Sequence, residues 1–445
     1  MALCYFPGMK RSLIFGTVLA VLLFNLALGA NLYVRAARDS NDNDSAPASE
    51  ELFHEALQKI HNEYVDGKDL TYRQLVYSAL KGAVSKLDPH SEFLDAESFQ
   101  ELQDDTEGQF GGVGLMVGPN KDGQITVIAP IDDTPGCRAG IISGDHIVKV
   151  DGKSVEKMSL PDVVKMLRGE PGSVVSLTID RPGTGAQKTF KLTRAVIQVD
   201  MVKDINGKKE FPLAAGKIGY IRITQFGEKT SDELEIALNK LKAQGLKGLV
   251  LDLRWNPGGL LEQAVAVCEK FLPARQLVVS TEGRRTVEKY YARGHDELKN
   301  VPIVVLVNLG SASAAEIVTG CLQDVHRAVI LGKKTFGKGS VQNVIQLDEG
   351  TALKLTVAKY YTPSHKVIHQ RGITPDIPVP VSDVEEAALL LKRSPGGVES
   401  LPEHDRAIVE ALQDEQLNRA ENVLKGLIIY DQLTARAKPE KMAAK

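Results

Sequence analysis

From Ser12 to Val34 the chain carries no charged residue, and Lys10-Arg11 stand just before that stretch. Residues 35–49 are polar and poor in apolar side chains, which reads as a flexible linker. Helical periodicity then sets in over 50–87. Leu52, Phe53, Ala56, Leu57 and Ile60 mark one helix and, after a break at Gly67, Leu75, Val76, Ala79, Leu80, Ala83 and Val84 mark a second that Asp88-Pro89 closes. Between about 106 and 195 the texture changes to short β-branched runs punctuated by glycine, with one helix at Leu160–Gly169. Beyond residue 200, strands KIGYIRIT, KGLVLDLR and VPIVVLVN alternate with helices, which predicts an α/β core. The first of those helices opens on Thr230 with Glu233 three residues on, a capping-box spacing, and stops at Gly245. Residues 383–393 and 404–433 return to amphipathic helical spacing.

With 445 residues, the chain is too long for one ordinary domain. Lys plus Arg number 54 against 57 Asp plus Glu, a net charge of −3, which gives no basic excess for nucleic acid. Of four cysteines, Cys4 precedes the leader, and Cys137, Cys268 and Cys321 form neither a C-x-x-C pair nor a Cys/His cluster, so no metal site is expected. A Cys268–Cys321 bridge and two buried thiols both stay open, because spacing alone cannot pair cysteines. The leader has the charged start and apolar run of an export signal, and it also has the ~20 residues that span a bilayer as a helix. A cleaved signal peptide and a retained membrane anchor are therefore both open, and either predicts an exported protein.

Chemistry concentrates in a few turns. In VNLGSASAAE (307–316) an apolar strand runs into a helix through nearly side-chain-free residues, so a serine there, Ser311 or Ser313, sits beside uncovered helix N–H groups. Either hydroxyl is a candidate nucleophile, and either is equally a candidate helix cap. In TFGKGSVQ (335–342) Lys338 stands between two glycines, with Phe336 and Val341 as candidate apolar surroundings. A lysine serves as a base only when neutral, and lowering its pKa of ~10.4 by about 3 units takes burial costing about 4 kcal/mol. Gln342 is placed to hold that amine by a hydrogen bond, and His326 is the fallback base. The turn WNPGG (255–259) leaves backbone N–H groups bare beside a second strand end.

Taken together and in order, LDPHSEFL (87–94), FGGVGLMVG (110–118), LVLDLRWNPGG (249–259), NLGSASAAEI (308–317), TFGKGSVQ (335–342) and YYTPSHKVIHQRGITPDI (360–377) resemble the carboxyl-terminal processing, or tail-specific, proteases. The resemblance implies an α/β protease core of ClpP/crotonase-like type (196–382) with an inserted β-rich PDZ domain (106–195). Helical regions would lie at 50–105 and 383–445. It assigns the nucleophile to Ser313, the general base to Lys338, lysine orientation to Gln342, and the oxyanion hole to the N–H groups of Gly259 and Ala314. Glu316 matches an accessory position. Gly112-Val113-Gly114-Leu115 matches a PDZ carboxylate-binding loop, and Arg168 an arginine that ties a loaded PDZ to the core. The implied activity is cleavage of proteins near C-terminal tails, without cofactor, by a periplasmic or inner-membrane-facing enzyme. The implied partners are tailed protein substrates, an adaptor or regulator, the membrane through an uncleaved leader, and a second copy through the helical regions. Departures occur at Ser364-His365 and Cys137-Arg138, away from the dyad. A non-catalytic PDZ scaffold or ligand carrier on the same core is the competing reading.

Overall fold

A computed structural model describes residues 45–120, 122–182, 187–294, 298–393, 398, 401 and 403–437. The leader 1–34 and linker residues 35–44 lie outside the described residues. The chain divides into two units at Pro89/His90. In the first, helix α1 (Ala46–Glu63) starts with proline in its opening turn, where the missing N–H is no loss. It therefore begins inside the expected linker. Helix α2 (Tyr72–Ser85) follows a 3₁₀ turn at Gly67–Asp69, and Thr71 and Gln74 cap it reciprocally at 3.2 and 2.8 Å. The apolar stripe on α1 is uncovered, with Leu52 68% and Ile60 45% exposed.

The second unit opens with strand β1 (Glu92–Leu94) and helix α3 (Ala96–Glu107). A two-stranded ribbon, β2 (Gln109–Gly112) with β9 (Ala195–Gln198), closes the neck of an inserted module. Its sheet runs β3 (Leu115–Pro119), β4 (Ile125–Pro130), β5 (His146–Val150), β7 (Val174–Asp180), β8 (Gln187–Thr193), with β6 (Lys153–Ser154) beside β5. The short turn of helix α4 (Pro135–Arg138) and helix α5 (Leu160–Leu167) complete it. Val127, Val150, Val163, Val175 and Leu177 fill its core at 0% exposure.

The main sheet is ordered β10 (Val202–Lys203), β11 (Ile218–Ile223), β12 (Gly248–Asp252), β15 (Ile303–Val307), β16 (Val329–Gly332), β19 (Ile377–Pro378). Only β10 pairs antiparallel. Every residue of β12 and β15 is buried, as strands covered on both faces require. Alternation sorts the two faces. Leu249 and Leu251 pack with helices α6 (Thr230–Ala243), α7 (Leu261–Glu269) and α8 (Ala314–Asp324), whereas Val250, Val304 and Leu306 pack under Leu417, Ala420 and Leu424 of helix α11 (Glu415–Ala437). A second sheet, β1–β18–β13–β14 with β17 on β18, uses β13 (Leu277–Gly283), β14 (Val287–Tyr291), β17 (Ser340–Gln346) and β18 (Ala352–Tyr361).

Two local expectations are corrected. Thr230 and Glu233 form no capping box. The Thr230 hydroxyl donates to the Gln225 carbonyl, and the Glu233 carboxylate accepts the Met201 and Val202 N–H groups at 2.9 and 3.0 Å. Tying β10 to α6 satisfies more donors than a cap. The 404–433 stretch is two helices, α10 (Glu403–Ala411) and α11, separated at Asp414 and preceded by α9 (Asp383–Arg393). Cys268 and Cys321 are buried free thiols, the Cys321 Sγ facing the Leu277 carbonyl at 3.9 Å, and burial pushes the Cys268 thiol up. Gly245 does end α6, in a left-handed conformation (φ 86°) with the Leu246 N–H reaching back to Leu241. Among the described residues no helix is long and apolar enough to cross a membrane, and no cluster fit to hold a metal ion occurs.

Candidate active site

The carboxyl ends of β12 and β15 lie side by side, and both chains leave the sheet there through turns, the place where open α/β sheets bind ligands. Asn308 joins the two turns, its Oδ1 accepting the N–H groups of Trp255 (2.9 Å) and Gly310 (3.0 Å). Ser311 is fully buried, with its Oγ accepting from the Asn308 N–H and donating to the Leu253 carbonyl at 2.8 Å. That hydroxyl is committed to holding the turn. Ser313 is different. It stands at the first turn of α8 with φ 53° and ψ −114°, a strained conformation for a residue with a Cβ.

The Trp255–Gly259 turn abuts it. Asn256 is buried and clamps the turn, donating from Nδ2 to the Ile223 carbonyl and accepting the Gly258 N–H, both at 2.8 Å. A Cβ on Gly258 would meet Ser313 Cβ at 2.7 Å, so only glycine lets this backbone reach the serine. Gly259 (φ 143°) is pressed against Phe226 on its other side. Neither the Gly259 nor the Ala314 N–H finds a protein acceptor among the described residues.

Lys338 enters from the loop before β17. Its glycine neighbours are explained by contact, since a Cβ on Gly339 would lie 2.1 Å from the His369 N atom, and Gly337 accepts the Gln370 N–H. Burial pushes the Lys338 ammonium below its usual range, and the Lys354 charge adds to that. Phe336 is not part of those surroundings, being 58% exposed. Ser313, Lys338, Gly259, Val341, Gln342 and Tyr360 line one cleft of about 680 Å3. Gln342 makes no hydrogen bond to the Lys338 amine here; its Nε2 donates to Ser340 Oγ (2.8 Å) and Thr356 Oγ1 (3.3 Å) across a bulge. No hydrogen bond joins Ser313 Oγ to Lys338 Nζ. His326 lines a different, larger cavity of about 940 Å3 that contains none of these groups.

Glu316 connects the two loops. Its carboxylate, fully buried on α8, accepts Thr335 Oγ1 and the Gly337 N–H on one oxygen, and the Ser313 and Lys338 N–H groups on the other, at 2.5, 2.7, 3.0 and 2.9 Å. Burial raises its pKa, and the four donors offset that only in part. A second buried group, Arg254, anchors the other turn. It is 0% exposed and bonds Asp252, Asp414 and Gln416, while Arg393 bonds the same two carboxylates. The sequence offered no warning of Arg254. Its partners Asp414 and Gln416 are distant in the chain, and the only local cue is the Asp252/Arg254 charge pair at the end of an apolar strand.

In the inserted module, Gly112-Val113-Gly114-Leu115 connects β2 to β3, and Gly114 (φ 73°) lies so close to Thr134 that a Cβ would sit 2.2 Å away. The Val113 and Gly114 N–H groups have no protein acceptor among the described residues. β3 is an edge strand with α5 alongside, the arrangement that accepts an extended peptide. Arg168 caps α5, lies 4.6 Å over the Phe110 ring and reaches Asp105 of α3 at 3.5 Å.

Residues 217–379 match peptidase family S41, and residues 126–181 match a PDZ domain. The carboxy-terminal-processing protease of Bartonella bacilliformis is 39% identical over 425 residues, 91% of this chain and 94% of the relative. CtpA of Bacillus subtilis strain 168, a carboxy-terminal processing protease, is 34% identical over 84% of this chain and 79% of its own. A solved photosystem II D1 C-terminal processing protease is 31% identical, covers 78% of this chain and 97% of that one, and superposes with a TM-score of 0.44.

Proposed function

Because the chain belongs to the carboxy-terminal processing serine proteases of peptidase family S41, we propose that it hydrolyses proteins near their C-terminal tails with Ser313 as nucleophile and Lys338 as base. One observation carries this reading. Ser313 and Lys338 line the same cleft, and a single carboxylate, Glu316, binds the backbone N–H of both.

Neutral Lys338 takes the proton of Ser313 as Oγ bonds to the scissile carbonyl carbon. The oxygen that gains charge is met by the Gly259 and Ala314 N–H groups, which no protein acceptor occupies. The C–N bond then breaks, the amine leaves with the proton held on Lys338, and an ester on Ser313 remains. Water, deprotonated by Lys338, attacks that ester and restores the hydroxyl. Glu316 holds the two loops in register. Gln342 turns toward the lysine only when substrate enters, exchanging its present bonds to Ser340 and Thr356. The PDZ domain holds the substrate's terminal carboxylate at Gly112–Leu115. Arg168 moves from Asp105 and Phe110 when that module reorients. The leader exports the enzyme to the periplasm or the outer face of the inner membrane. It remains there as an anchor if uncleaved, and pairing of two copies through the helical regions and control by an adaptor belong to the same reading.

Ser313→Ala and Lys338→Ala are each expected to abolish cleavage of a tailed model protein, with cut sites read by mass spectrometry and folding by circular dichroism. Wild-type kcat/KM should rise with pH to a midpoint below the ~10.4 of a free lysine. A Lys338→Ala enzyme that keeps more than a few per cent of the rate, or a profile flat with pH, refutes the dyad.

A further inference from the structure

Lys203 on β10 and Arg222 on β11 stand directly opposite each other across an antiparallel pair. Like charges in that register repel. Neither has an ion-pair partner among the described residues. The Arg222 Nε is buried and makes no hydrogen bond. The carboxylates nearest Lys203 are engaged elsewhere, Asp200 with Lys209 and Glu233 with the Met201 and Val202 N–H groups. Asp204 is turned inward, taking the N–H groups of Asn206, Lys208, Glu210 and Phe211.

A cavity of about 150 Å3 opens between the two cations; Arg393, Thr224, Tyr220 and the PDZ residue Met116 also line it, and so does Asp204, whose carboxylate is already covered by its four N–H donors. Arg393 contributes no spare charge, since Asp252 and Asp414 neutralise it. The space is large enough for several waters. We propose that this cavity is a binding site for a free tetrahedral oxyanion of the phosphate or sulfate class. Two cations without an ion-pair partner face the cavity and favour an anion there, and the space holds a tetrahedral oxyanion together with water. The orphaned Arg222 Nε supplies a donor, and the Lys203 ammonium supplies more. Burial holds the Lys203 ammonium below its usual pKa, and a dianion beside it would act in the opposite direction. The site sits behind the Gly-rich turn, because the Arg222 guanidinium lies 5.5 Å over the Trp255 ring. It is independent of the dyad assignment and is tested without any activity measurement.

The full chain is titrated calorimetrically with sodium phosphate and sodium sulfate, and melted in each against sodium chloride at matched ionic strength. One oxyanion per chain should bind, and the melting temperature should rise saturably. Lys203→Met should weaken binding at least tenfold and, with the repulsion removed, melt no lower than wild type in chloride. Arg222→Gln should weaken binding similarly. Glycerol 3-phosphate, with one oxygen esterified and unable to carry charge, should bind at least tenfold more weakly than phosphate. Identical melting in all salts, or a Lys203→Met chain that keeps the phosphate response, overturns the proposal. Equal affinity for glycerol 3-phosphate overturns the assignment to a free anion.

Discussion

Replacing Glu316 by glutamine changes one oxygen into an NH2 group inside a site that contains only donors. The carboxylate accepts from Thr335 Oγ1 and Gly337 on Oε1, and from Ser313 and Lys338 on Oε2. An amide turned so that its oxygen keeps Ser313 and Lys338 places NH2 against Thr335 and Gly337. The Thr335 hydroxyl can rotate to accept, but the Gly337 N–H is left facing a donor. One orphaned buried N–H costs about 1–3 kcal/mol. Expressed wholly in the transition state, that is a loss of roughly 5- to 150-fold in kcat/KM. Stability should move less. Burial raises the Glu316 pKa, so the folded chain holds this proton more tightly than the unfolded one. The contribution is fully present below the unfolded value of ~4.3 and is lost as pH rises through the folded value. At neutral pH the ionised group therefore weighs against the fold, and glutamine removes that cost while adding the orphan. Steady-state cleavage of a tailed substrate, measured beside a melting curve at pH 7.5, separates the two effects. A Glu316→Gln enzyme with wild-type kcat/KM would refute the claim that this carboxylate registers the two loops.

Asp414→Asn leaves Arg254 and Arg393 sharing Asp252 alone in a buried site, and breaking such a pair costs about 3–5 kcal/mol; the urea midpoint should drop, and an unchanged midpoint refutes the anchor. Burial works to raise the Asp252 and Asp414 carboxyls and the Arg254 guanidinium overrides it, holding both low. Their contribution is therefore present above ~4 and lost as pH falls below it, so acid unfolding should be shallower in Asp414→Asn. Gly114→Ala forces a Cβ into Thr134 at a positive φ and should weaken binding of a tail peptide to the full chain, read by fluorescence anisotropy, with short-peptide hydrolysis retained. Arg168→Ala should lower cleavage of tailed proteins without lowering that peptide affinity; equal cleavage would make its contacts with Asp105 and Phe110 merely structural.

Much of the architecture was legible because it is local. Buried parallel strands announce themselves as unbroken aliphatic runs, and Gly245 ends its helix where a left-handed residue is needed. The glycine pairs around Lys338 and in the Trp255–Gly259 turn pointed to close backbone approach, which the Cβ distances at Gly258 and Gly339 bear out. What stayed hidden depends on distant partners. Ser311 and Ser313 are chemically equal on paper, and only the Leu253 carbonyl, brought in from β12, marks Ser311 as structural. Glu233 looked like a cap until β10 offered it two N–H groups. Asp414 looked like one polar position in a long helix; it instead caps the start of α11 through the Leu417 N–H and binds Arg254, a partner 160 residues away. Gln342 carries the resemblance's motif but is diverted by Ser340 and Thr356, a rearrangement that no spacing reveals.

The Arg254–Asp414 bond also bears on when the enzyme can first exist. The two residues are 160 positions apart, and Asp414 lies near the end of the chain. At about 5–20 residues per second, a ribosome needs roughly 8–30 s to travel between them. Throughout that interval the Arg254 guanidinium has Asp252 but lacks Asp414 and Gln416, so its anchor is complete only after α11 has docked. The turn that abuts Ser313 thus gains its distal anchor late in synthesis, and losing the chain from Asp414 onward would leave Arg254 with Asp252 alone.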